Sequence, residues 1–151
     1  MSLPLRVFLD TNVYIVGAAN STSAEWQILL WLGFESRRPD AAEVVISAEV
    51  IEQILRVAKR LNNKDWAGNV VARIWQNLKL CYVLVNEPGF QQTDTFQWLP
   101  QEDIGVYLTA KLGKADCFIS SNHELIRVIA TETGEFECLK LEDFFRRYLE
   151  K

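Results

Sequence analysis

Five polar positions stand at or just inside a helix-opening signal. They are Asp10 after Val7-Phe-Leu9, Glu49 and Glu52 after Glu43-Val-Val-Ile46, Asp103 after the 90–100 segment, and Asn122 after Cys117-Phe-Ile119. A short apolar run bounded by polar residues reads as a buried strand, and in an open α/β sheet ligands bind beyond the carboxyl ends of the strands. Asp10, Thr11 and Asn12 are also good N-cap residues, so Asp10 alone is equally well read as a helix cap. Asp10, one of Glu52 or Glu49, and Asp103 come from three separate strand-helix junctions that would converge on one rim. Carboxylates gathered there repel one another unless a proton or cation compensates. A divalent ion such as Mg²⁺ or Mn²⁺ is the natural compensator, and the chemistry it brings is phosphodiester hydrolysis.

Strands must alternate with helices to bring these residues to one level. After the first strand, Ser21-Thr-Ser-Ala-Glu25 opens a helix over about residues 22–35, with Trp26, Leu29 and Leu30 at helical spacing. Glu43 to Ile46 is a second strand, and Ser47 caps a helix carrying Val50, Ile51, Ile54, Leu55 and Ala58. Asn62 to Asp65 is a turn, Trp66 to Leu78 a helix, and Leu80 to Val85 a third strand. Residues 90–100 form a polar and aromatic loop suited to facing a substrate. Asp103 opens the next helix and Gly113 stops it. A helix from Asp103 to Leu112 descends about 14 Å, and a strand from Asp116 to Ser120 climbs back about 13 Å. Asp103 and Asn122 therefore return to the level of Asp10, while Asp116 is left at the far end in a structural role. A helix from His123 to Ala130, a fifth, edge strand from Phe136 to Lys140, and a closing helix from Leu141 complete the chain.

The expected architecture is α/β: a three-layer sandwich, with helices on both faces of a central, mainly parallel sheet of about five strands. With 151 residues, 49% hydrophobic and 24% charged, residues 1–151 are expected to form a single domain. No basic segment followed by an apolar one opens the chain, and no apolar run approaches the roughly 20 residues that span a bilayer, so a cytoplasmic setting is expected. Three widely spaced cysteines in apolar contexts read as reduced core thiols, and one histidine excludes a His-rich metal site. Any metal would be a hard ion on carboxylates. The net charge of −4 gives no global attraction for nucleic acid, so RNA would need a local basic patch. Arg56, Lys59, Arg60 and Lys64 on one helix are candidates, although a solvated face is the better explanation of any one of them.

In these residues the sequence resembles the PIN-domain metal-dependent ribonucleases. Phe8-Leu-Asp-Thr-Asn-Val13 looks like their opening motif and Val45-Ile-Ser-Ala-Glu-Val-Ile-Glu52 like the second. Asp103 through Ala110, Gly113, and Ala115-Asp-Cys-Phe-Ile-Ser120 look like the third and fourth. The resemblance covers essentially the whole chain, and the branch it most resembles is the toxins of toxin/antitoxin pairs. It implies a Mg²⁺- or Mn²⁺-dependent endoribonuclease acting on single-stranded RNA, with an antitoxin protein as partner and homodimers common. Asp10 and Asp103 take metal-ligand positions. Glu52 takes the second-motif glutamate, with Glu49 as its alternative, because Gln53 stands where relatives often have that glutamate. Asn122 stands where many relatives have a fourth aspartate, and nearby Glu124 would partly replace it. Asn12 would orient Asp10 or a water, and Ser120 would support the rim. A catalytically weakened domain that binds RNA or protein is the alternative, motivated by Asn122. A small-molecule phosphohydrolase is a third reading, set back by the lack of a second aspartate two residues after Asp10.

Overall fold

The computed structural model describes residues 6–85, 99, 101–134 and 136–149. Five strands form one sheet in the order β3-β2-β1-β4-β5, every neighbouring pair parallel. β1 is Arg6–Leu9, β2 Glu43–Ser47, β3 Leu80–Val83, β4 Cys117–Ile119 and β5 Glu137–Leu139. The helices are α1 (Thr11–Ala19), α2 (Ala24–Leu32), α3 (Ala48–Leu61), α4 (Lys64–Asn77), α5 (Gln101–Leu112), α6 (His123–Glu132) and α7 (Leu141–Phe144), the last continuing as a π-helical turn over Phe145–Leu149. This is the expected α/β sandwich. Parallel crossovers are right-handed, so α1 to α4, between strands stepping one way from β1, cover one face. The return from β3 to β4 carries α5, and then α6, onto the other.

The sheet is central because its strands are apolar on both sides. Val7, Phe8, Leu9, Val44, Val45, Ile46, Phe118 and Ile119 are fully buried, as all-parallel sheets require. Phe8 and Phe118 stack at 4.9 Å between centroids, and Phe118 stacks on Phe136 at 5.6 Å. These rings join β1, β4 and the start of β5 through one aromatic row. At the end of α5 the chain passes so close to β2 that a Cβ on Gly113 would lie 2.2 Å from Val45 Cγ1. Gly113 is thus a contact requirement, and the left-handed residue that turns the chain is the next one, Lys114, at φ 55°.

Several expected boundaries shift. α1 takes up residues that read as the tail of the first strand's motif, and α2 is shorter at both ends than the expected 22–35. α4 begins at Lys64 and ends at Asn77, inside what read as a turn and then a helix to Leu78. α5 starts two residues before Asp103, which lies inside the first turn and does not cap it. β3 ends at Val83, α6 runs on to Glu132, and β5 is shorter than Phe136 to Lys140. The expected loop over residues 90–100 lies outside the described residues apart from Leu99, which is buried. The three cysteines are free, and burial pushes the Cys117 and Cys138 thiols up to about 11, which keeps them neutral at ordinary pH. Among the described residues no helix is long and apolar enough to cross a membrane.

Candidate functional site

Strand order fixes where a site can form. Connections from β1 leave towards β2, while β4 lies on the other side of β1, so the crevice between the carboxyl ends of β1 and β4 is the topological switch point where open sheets bind ligands. Asp10 follows β1 and Ser120 follows β4. The Asp10 N–H donates to the Ile119 carbonyl at 3.0 Å, and the Ser120 hydroxyl donates to Asp10 Oδ2 at 2.7 Å. Asp10 Oδ1 accepts from the Thr11 N–H at 2.8 Å. The carboxylate therefore does cap α1, and it also sits in the crevice; the two readings of Asp10 are compatible.

Asp10 is 9% exposed and, among the described residues, has no cationic partner. Burial raises its carboxyl above the ordinary range, and the bonds from Ser120 and Thr11 pull the other way. A group held so far from water and left without counter-charge is where a proton or a cation would be taken up.

The second wall is α3. Ser47 Oγ accepts from the Val50 N–H at 3.3 Å and meets Thr109 Oγ1 at 2.7 Å, while Thr109 donates to the Gly105 carbonyl at 2.7 Å. Since Thr109 gives its proton to Gly105, Ser47 must donate to Thr109. This fully buried relay fixes the end of β2 against α5. It sets the first turn of α3 beside the first turns of α5: a Cβ on Gly105 would lie 3.7 Å from Glu49 Cβ. Glu49, Glu52, Gln53, Arg56, Gly105 and Val106 line a cleft of about 230 Å³. Gln53 connects this cleft to the crevice, because its Oε1 accepts from the Thr11 hydroxyl next to Asp10.

The remaining expected residues are placed differently from one another. Asp103 is half-buried in the first turn of α5. Asn122 is exposed and caps α6, its Oδ1 accepting from the Leu125 N–H at 3.1 Å, while its own N–H donates to Ser120 Oγ at 2.9 Å. Glu124 is paired with Arg127 one turn along α6, at 2.5 Å and well exposed. Asn12 is exposed, and the atoms that orient Asp10 are those of Thr11 and Ser120. Asp116 lies at the opposite end of the sheet, as expected, and accepts from the Arg6 N–H at 2.9 Å. Gln53, Thr11 and the Ser47–Thr109 relay were not foreseen as parts of the site. The sequence signals for Gln53 are its place where relatives often have the second-motif glutamate and its position one helical turn after Glu49; for Thr109 the signal is a hydroxyl among the apolar residues of α5.

Among the described residues, Asp10, Ser120, Thr11 and Gln53 offer oxygens at the crevice, which is hard-cation chemistry. Among the described residues no three histidine, cysteine or carboxylate side chains gather as a cage for an ion. The donor set fits an ion of the Mg²⁺ type, which keeps several waters and needs only one or two carboxylates, with Asp10 as anchor.

No family model and no curated protein sequence matches the chain. Among solved structures, a chain in the crystal structure of VapBC2 from Rickettsia felis bound to a DNA fragment from their promoter is similar, with a TM-score of 0.55. The two are 13% identical, and the match covers 89% of this chain and 98% of that one. At that identity the likeness is one of fold, and the fold is PIN-like.

Proposed function

We propose that this chain is a metal-dependent endoribonuclease that hydrolyses phosphodiester bonds of single-stranded RNA, and that it is the toxin of a toxin/antitoxin pair. The observation that carries the reading is the buried, uncompensated Asp10 carboxylate at the switch point. Asp10 would anchor a Mg²⁺ or Mn²⁺ ion, and since Asp103 and Glu52, or Glu49 in its place, do not gather with it as a three-carboxylate cage, they would reach the ion through the waters it keeps. When bound, such an ion activates a water and stabilises charge on the phosphate oxygens. Ser120 and Thr11 hold Asp10 in one rotamer, so no reorganisation is needed when the ion arrives. Arg56, on the cleft wall beside Glu52, would meet a phosphate of the substrate. The VapBC2 likeness supports an antitoxin partner, and the resemblance to PIN ribonucleases supports RNA, a cytoplasmic setting and a homodimer.

A second reading is favoured by one specific observation: amides, Gln53 and Asn122, occupy two positions where relatives carry acids. On that reading the domain binds RNA or a protein partner with little catalysis. Calorimetric titration with Mn²⁺, alongside cleavage of single-stranded RNA, tests the first reading. We expect saturable binding and cleavage, both lost in Asp10→Asn; a wild-type protein that binds no Mn²⁺ and leaves RNA intact would overturn it in favour of the second.

A further inference from the structure

At the amino ends of the strands, opposite Asp10, lies a larger cavity of about 590 Å³, within the range of small-ligand sites. Arg6, Trp31, Asp40, Lys79 and Lys114 are among its walls. Arg6 is occupied: its Nε bonds Glu43 Oε1 at 2.9 Å and its Nη1 the Gly113 carbonyl at 3.0 Å. Glu43 is thereby neutralised, and the other acid at this wall, Asp116, holds the Arg6 N–H. Lys79 and Lys114 have no carboxylate partner among the described residues. Arg38, whose Nη1 donates to the Trp31 carbonyl at 3.3 Å, also lines the cavity, so Arg6, Arg38, Lys79 and Lys114 against Asp40, Glu43 and Asp116 leave its lining with one net positive charge.

Lys114 is also the one described non-glycine residue at positive φ, 55°. Glycine takes this conformation without penalty, and helix ends of this kind favour it. Here the glycine is one residue earlier, where Val45 leaves room for nothing larger, and a lysine is held in the strained position. Complementing the α5 dipole does not explain it, because Lys111 already lies in the last turn. Strain retained against an available alternative marks positions with a function.

From these features we infer that the cavity is a binding site for a ribonucleoside 5′-monophosphate. The phosphate lies between Lys79 and Lys114, the base lies along the Trp31 indole, and Asp40 accepts from an amino or imino group of the base. Asp40 is the one carboxylate of this cavity that has no bond to Arg6, which suits a ligand bearing both an anion and hydrogen-bond donors.

The test is calorimetry with the full chain, titrating each of the four ribonucleoside 5′-monophosphates and, separately, inorganic phosphate. At least one nucleotide should bind saturably and at least tenfold more tightly than phosphate. Lys114→Gly should weaken that binding tenfold or more while raising Tm by about 3 °C, since it removes the cation and the strain together. Lys79→Ala, whose backbone is unstrained, should weaken binding without the rise in Tm. Asp10→Asn should bind the nucleotide as wild type does. Four nucleotides that bind no better than phosphate, a Lys114→Gly protein with wild-type affinity, or loss of binding in Asp10→Asn would each overturn the assignment.

Discussion

The Ser120 hydroxyl and the Asp10 carboxylate meet at 2.7 Å across the ends of two adjacent parallel strands. That single bond joins the residue after β1 to the residue after β4, and the Asn122 N–H joins from behind by donating to the same hydroxyl. Asp10 is thus positioned by the sheet itself and not by a loop, which suits a group that must hold one geometry.

Burial raises the Asp10 carboxyl, so the folded protein holds its proton more tightly than the unfolded chain does. Stability from this group is then fully present below the ordinary carboxylate value and is lost as pH rises through the raised folded one. Asp10→Asn removes that loss. Thermal melts of metal-free protein should show the variant matching wild type at about pH 4 and exceeding it near neutrality, by about 2–4 °C for each kcal/mol regained. A gap that closes as pH rises would contradict the assigned cause.

Glu52→Gln should reduce RNA cleavage more than Glu49→Gln, by roughly 10–100-fold against a smaller loss. The resemblance gives Glu52 the second-motif glutamate, while Glu49 packs towards Gly105 and lies one turn before Gln53, whose amide oxygen accepts from the Thr11 hydroxyl beside Asp10. Rates for the two variants at saturating metal decide the matter; the reverse order would move the second ligand one turn back along α3.

Asn122→Asp should preserve the fold, since aspartate caps a helix as well as asparagine does. It adds a negative charge beside Ser120 and, through it, near Asp10. Coulomb attraction at a screened dielectric should then tighten Mn²⁺ binding about tenfold, with cleavage rising at limiting metal and changing less at saturation. A titration with no gain in affinity would sink the active-nuclease reading of this position and favour the binding module.

Tyr14 is fully buried, and its hydroxyl has no hydrogen-bond partner among the described residues. Burial pushes its ionisation further up, so the group is a neutral, unsatisfied hydroxyl at every working pH. Tyr14→Phe should stabilise the domain by about 1–2 kcal/mol. Denaturant unfolding should show a higher midpoint at unchanged slope; an equal or lower midpoint would point to a partner for that hydroxyl.

Much of the fold was legible because fully buried parallel strands are contiguous apolar runs that end abruptly. Cys117–Ile119 was read without error for that reason. The start of α1 was signalled by the cap at Asp10, but its extent was not, because Val13, Tyr14, Ile15, Val16 and Ala18 leave no polar face, and a helix without a polar face has no 3.6-residue signature. At the site, Asp10 and Ser120 could be read because each ends a strand. Glu124 could not be judged, since its pairing with Arg127 competes with the rim and only side-chain placement decides between them. Gln53 was marked only as standing in a glutamate's place, and its bond to Thr11 escaped because it joins positions far apart in the chain, which local spacing cannot report.

The Asp10 N–H that bonds the Ile119 carbonyl lies between the central strands, with Phe8 and Phe118 stacked just below it. Exposing that amide to solvent requires β1 and β4 to part, which is an opening of the most deeply buried unit of the molecule and not a local fluctuation. Deuterium should therefore enter this position at the rate of global unfolding, long after the ends of α2 and α6 have exchanged. The proposed metal crevice and the folding core would then be lost in the same event, so heat would abolish metal binding and native structure in one step, with no otherwise native form lacking the crevice on the way.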